Sequence, residues 1–374
     1  MEGLEHCFSE LRGSRSSGCR RHDLLEVLVI ALCAILSGGH TAVDMAVFAE
    51  AKQEFLKKFL RLTNGVPSHD TFSRLLKQID PNQFRACFQK FVTRFGESCG
   101  GVIAIDGKTL HRASDLRRTR SGLHMISAWR CDKRLVIAQI ATETKARESA
   151  AVLDLLEFLP LMGSIVTTDA LNCQREIAQR IVDRGGNYVL ALKGNHRRLH
   201  GDVSLLLAQP GQAAADQHAT TDNDHGRVER RVSLVCTEVD ELQKRHCWPG
   251  LAAVGKVVRS WGTAASATDE TVLYLLSQPL SSARFGEVVR SHWGIENRLH
   301  WVLNSVMNED RIRTRSDRAA YNLAILRHMA LNLMQKDRSK GSLRSKFNLA
   351  AWKDEFLASL LAHMRGREQE LKCT

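Results

Sequence analysis

The chain has 374 residues, 44% of them hydrophobic, and a formal net charge of +12. This apolar content excludes an intrinsically disordered chain, and the length suits about two to three compact domains. The positive charge favours encounter with a polyanion. Ribosomal, membrane-surface and nucleic-acid proteins share that property, so it does not choose a partner by itself.

The cysteines and the first apolar run bear on the compartment. The ten cysteines are scattered, with no C-x-x-C pair and no Cys/His cluster at zinc spacing, which predicts free thiols in a reducing compartment. The apolar run 24–36 begins late, contains Glu26 and follows the capping residue Asp23, which favours a buried helix over a signal peptide. We therefore expect a cytoplasmic protein without a membrane segment.

From Asp23 to about Phe95 the pattern is helical and predicts an all-helical N-terminal domain over residues 1–97. Asp80-Pro81 supplies an N-cap followed by proline at the first helical position. The predicted helices span 24–36, 42–50, 53–60, 71–79 and 81–94. The segment 68–76 is either the second helix of a helix-turn-helix that enters a DNA groove or a packing helix with a solvated face, and the sequence leaves both open.

Around Gly100-Gly101 the pattern changes to strands. Asp132-Lys133 is a tight connection, which predicts a hairpin between the second and third strands. The predicted strands span 102–105, 124–131, 135–142, 164–168 and 188–192, and the predicted helices 149–158 and 174–183. Strand, strand, strand, helix, strand, helix, strand is the order of an RNase H-like (retroviral integrase-like) α/β fold, so we expect such a catalytic core over residues 98–335.

Two further regions complete the predicted architecture. A β-rich insertion is expected at about 205–281, with strands at 231–235, 251–258 and 271–276 after a polar stretch at 212–224 that is expected to be a loop or partly disordered. From Ser282 onward the pattern is helical again, through 293–307 and 319–335. Residues 336–374 are expected to form a basic linker and one C-terminal helix at 345–364.

Three acidic residues occupy distinctive positions in this pattern. Asp106 and Asp169 close short β-branched apolar runs, and Glu296 opens a helical pattern. In the predicted fold the two aspartates lie on adjacent strands, and Glu296 completes the group from its helix. Carboxylates converging in this way repel by about 4 kcal/mol per pair at about 4 Å and an effective dielectric of about 20. Such a cluster therefore implies bound divalent cations.

The predicted metal ligands are Asp106, Asp169 and Glu296, with Asp106 bridging two ions. Ligation by oxygen alone selects a hard ion such as Mg²⁺, with Mn²⁺ as an alternative. Two such ions about 3.5–4 Å apart activate an oxygen nucleophile and stabilise the leaving oxygen of a phosphodiester. The pattern therefore predicts a catalytic site for cutting and joining DNA.

Each carboxylate also has an ordinary structural interpretation. Asp106-Gly107 is a common turn signal, Asp169 is a helix N-cap candidate, and Glu296 is a candidate surface partner of His292 or His300. The coincidence of all three in the right order of elements favours catalysis.

Several residues are predicted to contact DNA. Lys108 and Lys193 would hold phosphates near the same sheet edge, Asn195 lies in a loop that is either a phosphate contact or plain connection, and Trp293 is either a base-stacking residue or core. Residues 225–231 are either a DNA grip or a solvated charged turn. The full predicted set is Lys108, Lys193, Asn195, His292, Trp293, Arg298, Arg311, Arg313 and Arg315.

Six short motifs resemble one known family. They are Gly65-Val-Pro-Ser-His-Asp-Thr-Phe72, Ile105-Asp-Gly-Lys108, Thr167-Thr-Asp-Ala170, Tyr188-Val-Leu-Ala-Leu-Lys-Gly-Asn195, His225-Gly-Arg227 and His292-Trp-Gly-Ile-Glu-Asn297, the last with Leu299-His-Trp301 and Asn308-Glu-Asp310. Together they resemble the DDE transposases with an RNase H-like core, and among these the H-repeat-associated transposases of bacterial insertion sequences. The resemblance covers about residues 20–335.

The resemblance implies the acidic triad Asp106, Asp169 and Glu296, a β-strand insertion before the glutamate and a helical N-terminal domain. Related transposases often hold DNA with an arginine four residues before the glutamate and a lysine seven after it. Here those positions are His292 and Leu303, so phosphate contacts are expected from Arg298 or the arginines that begin at Arg311.

The implied activity is DNA transposition. We expect a nucleoid-associated homodimer on DNA that binds terminal inverted repeats and target DNA, with no small-molecule substrate and no membrane partner. Two alternatives stay open: an RNase H-like nuclease without strand transfer, and a degenerate copy that binds DNA without catalysis.

Overall fold

The computed structural model describes residues 2–9, 11, 21–95, 100–110, 123–142, 144–209, 217–224, 227–263, 266–311 and 316–364. Among these residues, no helix has both the length and the apolar character required to cross a bilayer. The described cysteines are free thiols.

The N-terminal part is helical, as the sequence predicts. Asp23 caps the second helix by accepting hydrogen bonds from the N–H groups of Leu25 and Glu26, and Asp80 caps the sixth in the same way. The first six helices are α1 (Glu2–Phe8), α2 (Leu24–Leu36), α3 (Ala42–Ala51), α4 (Gln53–Leu56), α5 (His69–Gln78) and α6 (Pro81–Thr93). Helix α4 is shorter than the predicted 53–60 because the chain turns at Lys57.

Within the described ranges, nine strands form a single sheet. They are β1 (Gly101–Thr109), β2 (His124–Arg130), β3 (Leu135–Thr142), β4 (Ser164–Thr168), β5 (Asn187–Leu192), β6 (Gln217–Asp224), β7 (Arg227–Cys236), β8 (Ala253–Thr263) and β9 (Ser266–Leu276). Their order is β3-β2-β1-β4-β5-β9-β8-β7-β6. Strands β1, β4 and β5 are parallel, whereas β2 and β3 join as the predicted antiparallel hairpin.

The later strands extend this same sheet, because β9 pairs antiparallel with β5 and β8, β7 and β6 follow in turn. Residues 217–224 were predicted as loop, and that prediction is wrong: they form the edge strand β6. The segment has no alternation of apolar and polar residues, yet it pairs with β7 along its whole length. Asp222 forms ion pairs with Arg231 of β7 and with Arg290.

The remaining helices are α7 (Glu148–Leu156), α8 (Arg175–Asp183), α9 (Arg197–Leu206), α10 (Asp240–His246), α11 (Ser282–Gly294), α12 (Trp301–Ser305), α13 (Asp317–Lys336), α14 (Leu343–Trp352) and α15 (Asp354–Ala362). A π-helical segment, Ile295–His300, joins α11 to α12. One sequence prediction is corrected here: the C-terminal helix expected at 345–364 is broken in two by the extended backbone of Lys353 (φ −122°, ψ 112°). The helical pattern predicted from Ser282 onward is confirmed by α11.

Apolar side chains cover both faces of the sheet. One large buried cluster joins the N-terminal helices, α7, α8 and α13 to one face. A second cluster packs Phe285, Val288 and Val289 of α11 against Val102, Ile165 and other residues on the opposite face. Helix α11 therefore lies across the sheet directly before the segment that carries Glu296.

Candidate functional site

The site is centred on β1, where the sheet changes from antiparallel to parallel strand pairing. Strand β1 lies between β2 on one side and β4 on the other, and its parallel pairing with β4 ends at Ile105 opposite Thr168. Asp106 is the next residue of β1, and Asp169 directly follows β4. The sequence prediction that these aspartates come from neighbouring strands is therefore met, at the type of edge where α/β sheets bind ligands.

Asp106 is a half-enclosed carboxylate. Its Oδ1 accepts a hydrogen bond from the Gly107 N–H at 2.8 Å, and its Oδ2 lies 3.6 Å from His300 Nδ1. Burial, together with the negative charges of Asp169, Glu296 and Glu148, raises the pKa of Asp106 to about 7 against the opposing effect of the Gly107 N–H. Asp106 thus lies in the field of both other predicted ligands.

Asp169 is a helix cap, as its structural interpretation predicted. This hydrogen bonding does not exclude that the same carboxylate also binds a metal ion. Asp169 precedes the 3₁₀ turn Ala170–Asn172, and its Oδ1 accepts hydrogen bonds from Asn172 N at 3.3 Å and Asn172 Nδ2 at 3.0 Å. Burial, followed by the charge of Glu148, raises the pKa of Asp169. Both aspartates therefore resist ionisation in the metal-free protein.

Glu296 lies in the π-helical segment and is exposed at the mouth of two cavities. The smaller, of about 240 Å³, is lined by Asp169, Lys193, His292 and Trp293 together with Glu296. The larger, of about 1060 Å³, is an open cleft between α11 and the strands β6, β7 and β8. Glu296 lies on the wall of both.

The residues that line the larger cleft include more arginines than the sequence analysis singled out. They are Arg231, Arg259, Arg284, Arg290 and Arg298, alongside the acidic Asp222, Glu229, Glu287 and Glu296. Arg259 and Arg231 are both paired with Glu229, and Arg284 is paired with Glu287. Only the spatial meeting of α11 with β7 and β8 brings these arginines together, so spacing along the chain could not reveal them.

A metal site is not assembled among the described side chains. No three of their His, Cys, Asp or Glu residues lie where they could hold an ion together. The structure thus brings Asp106, Asp169 and Glu296 into one electrostatic neighbourhood, whereas their joint chelation stays a prediction.

Lys108 lies in a buried ion-pair network. Its Nζ is 2.6 Å from Glu309 Oε2 and 3.2 Å from Asp310 Oδ1, and Arg327 Nη1 is 3.6 Å from Glu309 Oε1. To meet a phosphate, the Lys108 ammonium would have to leave these carboxylates. Its predicted contact with DNA therefore stays a prediction.

The two predicted DNA-contact residues of the β5–α9 loop are both exposed. Lys193 lines the smaller cavity, and Asn195 donates to the carbonyl of Ala170 at 2.9 Å, close to Asp169 in the chain. Both lie near Asp169, and their contact with DNA stays a prediction.

The residues around Glu296 divide into an enclosed and an open group. His292 is largely enclosed, with its Nδ1 3.0 Å from Thr167 Oγ1, and burial lowers its pKa to about 4. Trp293 is 45% exposed, which excludes the core interpretation, and Arg298 is exposed on the cleft. Of the predicted arginines beyond α12, Arg313 and Arg315 lie outside the described residues, and Arg311 is described only in its backbone, within the turn Glu309–Arg311.

Sequence reasoning missed a fourth acidic residue of the site, Glu148. It begins α7, is 2% exposed, and bonds His124 Nε2 at 2.7 Å and Asn172 Nδ2 at 2.7 Å. Burial opposes its ionisation, but the hydrogen bonds from His124 and Asn172 outweigh that effect and hold the pKa of Glu148 below its usual value. Its charge raises the pKa of both aspartates. Its segment has no distinctive spacing that would have identified it.

Residues 97–333 match the family described as "Transposase DDE domain", and residues 5–92 match the family described as "DDE_Tnp_1-associated". The chain therefore belongs to the transposase DDE domain family.

Two similar proteins are named putative transposases, one of them H repeat-associated. The chain is 37% identical over 368 residues to the H repeat-associated putative transposase YhhI of Escherichia coli K12, covering 96% of this chain and 97% of that protein. It is 32% identical over 370 residues to the putative transposase YncI of Escherichia coli O157:H7, covering 97% of this chain and 95% of that protein. A solved structure of a piggyBac transposase in a synaptic complex with hairpin DNA aligns with 96% of this chain and with 77% of its own chain. The sequence identity is 12% and the TM-score is 0.43, so this similarity adds nothing to the description of the fold.

Proposed function

We propose that the protein is a DNA transposase of a bacterial insertion sequence that cleaves and joins DNA strands at a DDE site built on an RNase H-like core. The observation that carries the proposal is the position of Asp106 and Asp169 directly after the last residue pair of the parallel strands β1 and β4, with the charge of Glu296 acting on Asp106. Membership of the transposase DDE domain family supports it.

The proposed cofactor is Mg²⁺, with Mn²⁺ as an alternative, in a two-metal site held by Asp106, Asp169 and Glu296. The donor set fits such an ion because it consists of carboxylate oxygens, and because burial and nearby negative charges raise the pKa values of the two aspartates in its absence. When bound, the ions would activate the attacking oxygen and stabilise the leaving oxygen of a phosphodiester.

The protein's own residues would place the DNA at this edge. Strand pairing fixes Asp106 and Asp169, while Lys193 and Arg298 are exposed cations on either side of Glu296, suited to phosphate oxygens. Trp293 presents its ring to both cavities, where a base could stack.

The proposed substrates are the terminal inverted repeats of the element and its target DNA. Because two ends must be handled together, we propose a homodimer on DNA, working in the cytoplasm at the nucleoid. We also propose a helical N-terminal unit at residues 1–97, a catalytic unit at 98–335 with its β-rich part at about 205–281, and a C-terminal segment at 336–374.

The test uses DNA duplexes that carry the inverted repeats flanking the gene, with Mg²⁺ and the purified full chain. Asp106→Asn, Asp169→Asn and Glu296→Gln should each abolish strand cleavage and strand transfer while DNA affinity stays near that of the unchanged protein. Asp154→Asn, which alters an exposed carboxylate of α7, is the matched control and should keep both activities.

Two outcomes would contradict the proposal. Cleavage of a generic RNA–DNA hybrid without end specificity or joined products would indicate a nuclease. DNA binding without any cleavage by the unchanged protein would indicate a copy that only binds.

A further inference from the structure

A buried chain of polar contacts runs behind the two aspartates. Thr109 Oγ1 lies 2.9 Å from His124 Nδ1, His124 Nε2 lies 2.7 Å from Glu148 Oε2, and Asn172 Nδ2 donates to Glu148 Oε1 at 2.7 Å. The same Asn172 amide group donates to Asp169 Oδ1 at 3.0 Å. We call Thr109, His124, Glu148 and Asn172 the Glu148 network.

The network is enclosed and its central carboxylate is fully engaged. His124 and Glu148 are each 2% exposed and Asn172 is 0% exposed. One oxygen of Glu148 accepts a hydrogen bond from His124 and the other accepts one from Asn172, so both ends of the carboxylate are held in place. A buried carboxylate in this state acts through the groups that it holds, and the group held nearest the site is Asn172.

Gly107 shows that β1 is built around this network. The residue lies inside β1 between Asp106 and Lys108, and it is not among the glycines with a positive φ, so a turn does not require it. A Cβ at position 107 would lie 2.4 Å from His124 Nε2 and 2.9 Å from Glu148 Oε2. The glycine of the Asp-Gly pair therefore leaves room for the contact between His124 and Glu148.

We propose that Glu148 and Asn172 are positioning residues that fix the carboxylate of Asp169 toward the metal site, with Gly107 providing the space in which their network forms. The inference rests on the proposed metal-dependent function. It predicts that outer hydrogen bonds set the metal affinity of Asp169, as they do for ligating carboxylates in general.

The experiment measures Mn²⁺ affinity of the full chain without DNA, from the electron paramagnetic resonance signal of unbound Mn²⁺. Asn172→Leu removes the link between Glu148 and Asp169, and Gly107→Ala displaces the pair of His124 and Glu148. Each should weaken Mn²⁺ binding by about tenfold. Asp154→Asn should leave it unchanged.

Thr109→Val keeps the shape of a strand residue and removes only the hydroxyl that meets His124, so it provides a mild variant if Asn172→Leu does not fold. It should weaken Mn²⁺ binding by less than Asn172→Leu while duplex affinity stays unchanged. Unchanged Mn²⁺ affinity in every folded network variant would overturn the inference.

A further variant separates this failure from that of the proposed function. Asp106→Asn alters a proposed ligand directly. If it lowers Mn²⁺ affinity while the network variants do not, the network alone loses its role. If Asp106→Asn also binds Mn²⁺ like the unchanged protein, the metal site itself is refuted and the inference falls with it.

Discussion

Lys108 Nζ lies 2.6 Å from Glu309 Oε2, so the strand that carries Asp106 is joined by an ion pair to the turn after α12. The Lys108 and Glu309 side chains are 11% and 3% exposed. Burial opposes the ionisation of Glu309, but the charges of Lys108 and Arg327 outweigh it and hold its pKa below the usual value. Each of these two buried charges is therefore stabilised by the other.

Glu309→Gln should lower the free energy of unfolding by about 3–5 kcal/mol, because it leaves Arg327 buried without its counter-charge and leaves Lys108 paired with Asp310 alone. Urea unfolding at pH 7 measures the loss. Since the folded pKa of Glu309 lies below its unfolded value near 4.5, the stabilisation is present above that pH and disappears on acidification. Glu287→Gln breaks an exposed pair with Arg284 and should change stability by less than about 1 kcal/mol. Equal losses in the two variants would contradict the prediction.

Asp106→Asn should stabilise the metal-free protein at pH 8. The folded pKa of about 7 lies above the unfolded value near 3.8, so the folded protein retains a proton that the unfolded chain has lost, and stability falls as pH rises from about 4 to 7. The asparagine amide does not ionise, so the variant should have a free energy of unfolding up to about 4 kcal/mol higher than the unchanged protein at pH 8. Thermal unfolding in EDTA should show the gain at pH 8 and none near pH 4. A variant less stable than the unchanged protein at pH 8 would refute the pKa direction.

His292 should remain neutral throughout the physiological range. Burial lowers its pKa to about 4, and its ring bonds the Thr167 hydroxyl. Proton NMR of the ring hydrogens from pH 8 to 4 should show no titration above about pH 5, with the urea-unfolded chain as the reference. A midpoint above pH 6 would mean that His292 can carry positive charge to a phosphate near neutral pH.

Trp293→Ala should weaken binding of DNA with unpaired bases by about 1–3 kcal/mol, the typical contribution of a stacked aromatic ring. Trp293 is 45% exposed and lines both cavities beside Glu296. Trp352 is 75% exposed at the end of α14, so Trp352→Ala controls for the loss of an exposed indole. Fluorescence anisotropy with a labelled oligonucleotide measures both. Equal affinity in the two variants would exclude stacking on Trp293.

The sequence predicted the elements that carry strong periodic or capping signals. Helix α2 has the predicted bounds 24–36, with Asp23 as its cap, and β4 ends directly before Asp169 as expected. Alternating or continuous apolar runs reveal such elements, because the side chains that form them are the ones that the core buries. The neighbourhood of Asp106 and Asp169 followed from the order of strands.

What could not be predicted depends on contacts between distant residues. Strand β6 lacks apolar alternation and is held by pairing with β7. Glu148 joins the site only because α7 packs against β2 and β3, which brings it to His124. The pairing of Lys108 with Glu309 spans 201 residues, so a lysine next to a predicted ligand could not be recognised as an ion-pair partner.

The segment Ile295–His300 widens the helix between α11 and α12. Each residue of a regular α-helix advances about 100° around the axis, so a wide turn that accommodates one more residue shifts the phase of the side chains that follow it. Phe285 and Val289 before the turn meet the sheet, whereas Leu299 and Val302 around and after it join the core that includes α13. Glu296 lies at this change of phase. The direction of Glu296 relative to the sheet consequently depends on the length of the segment, and deleting one residue there would change the helix phase without altering any of the three acidic side chains.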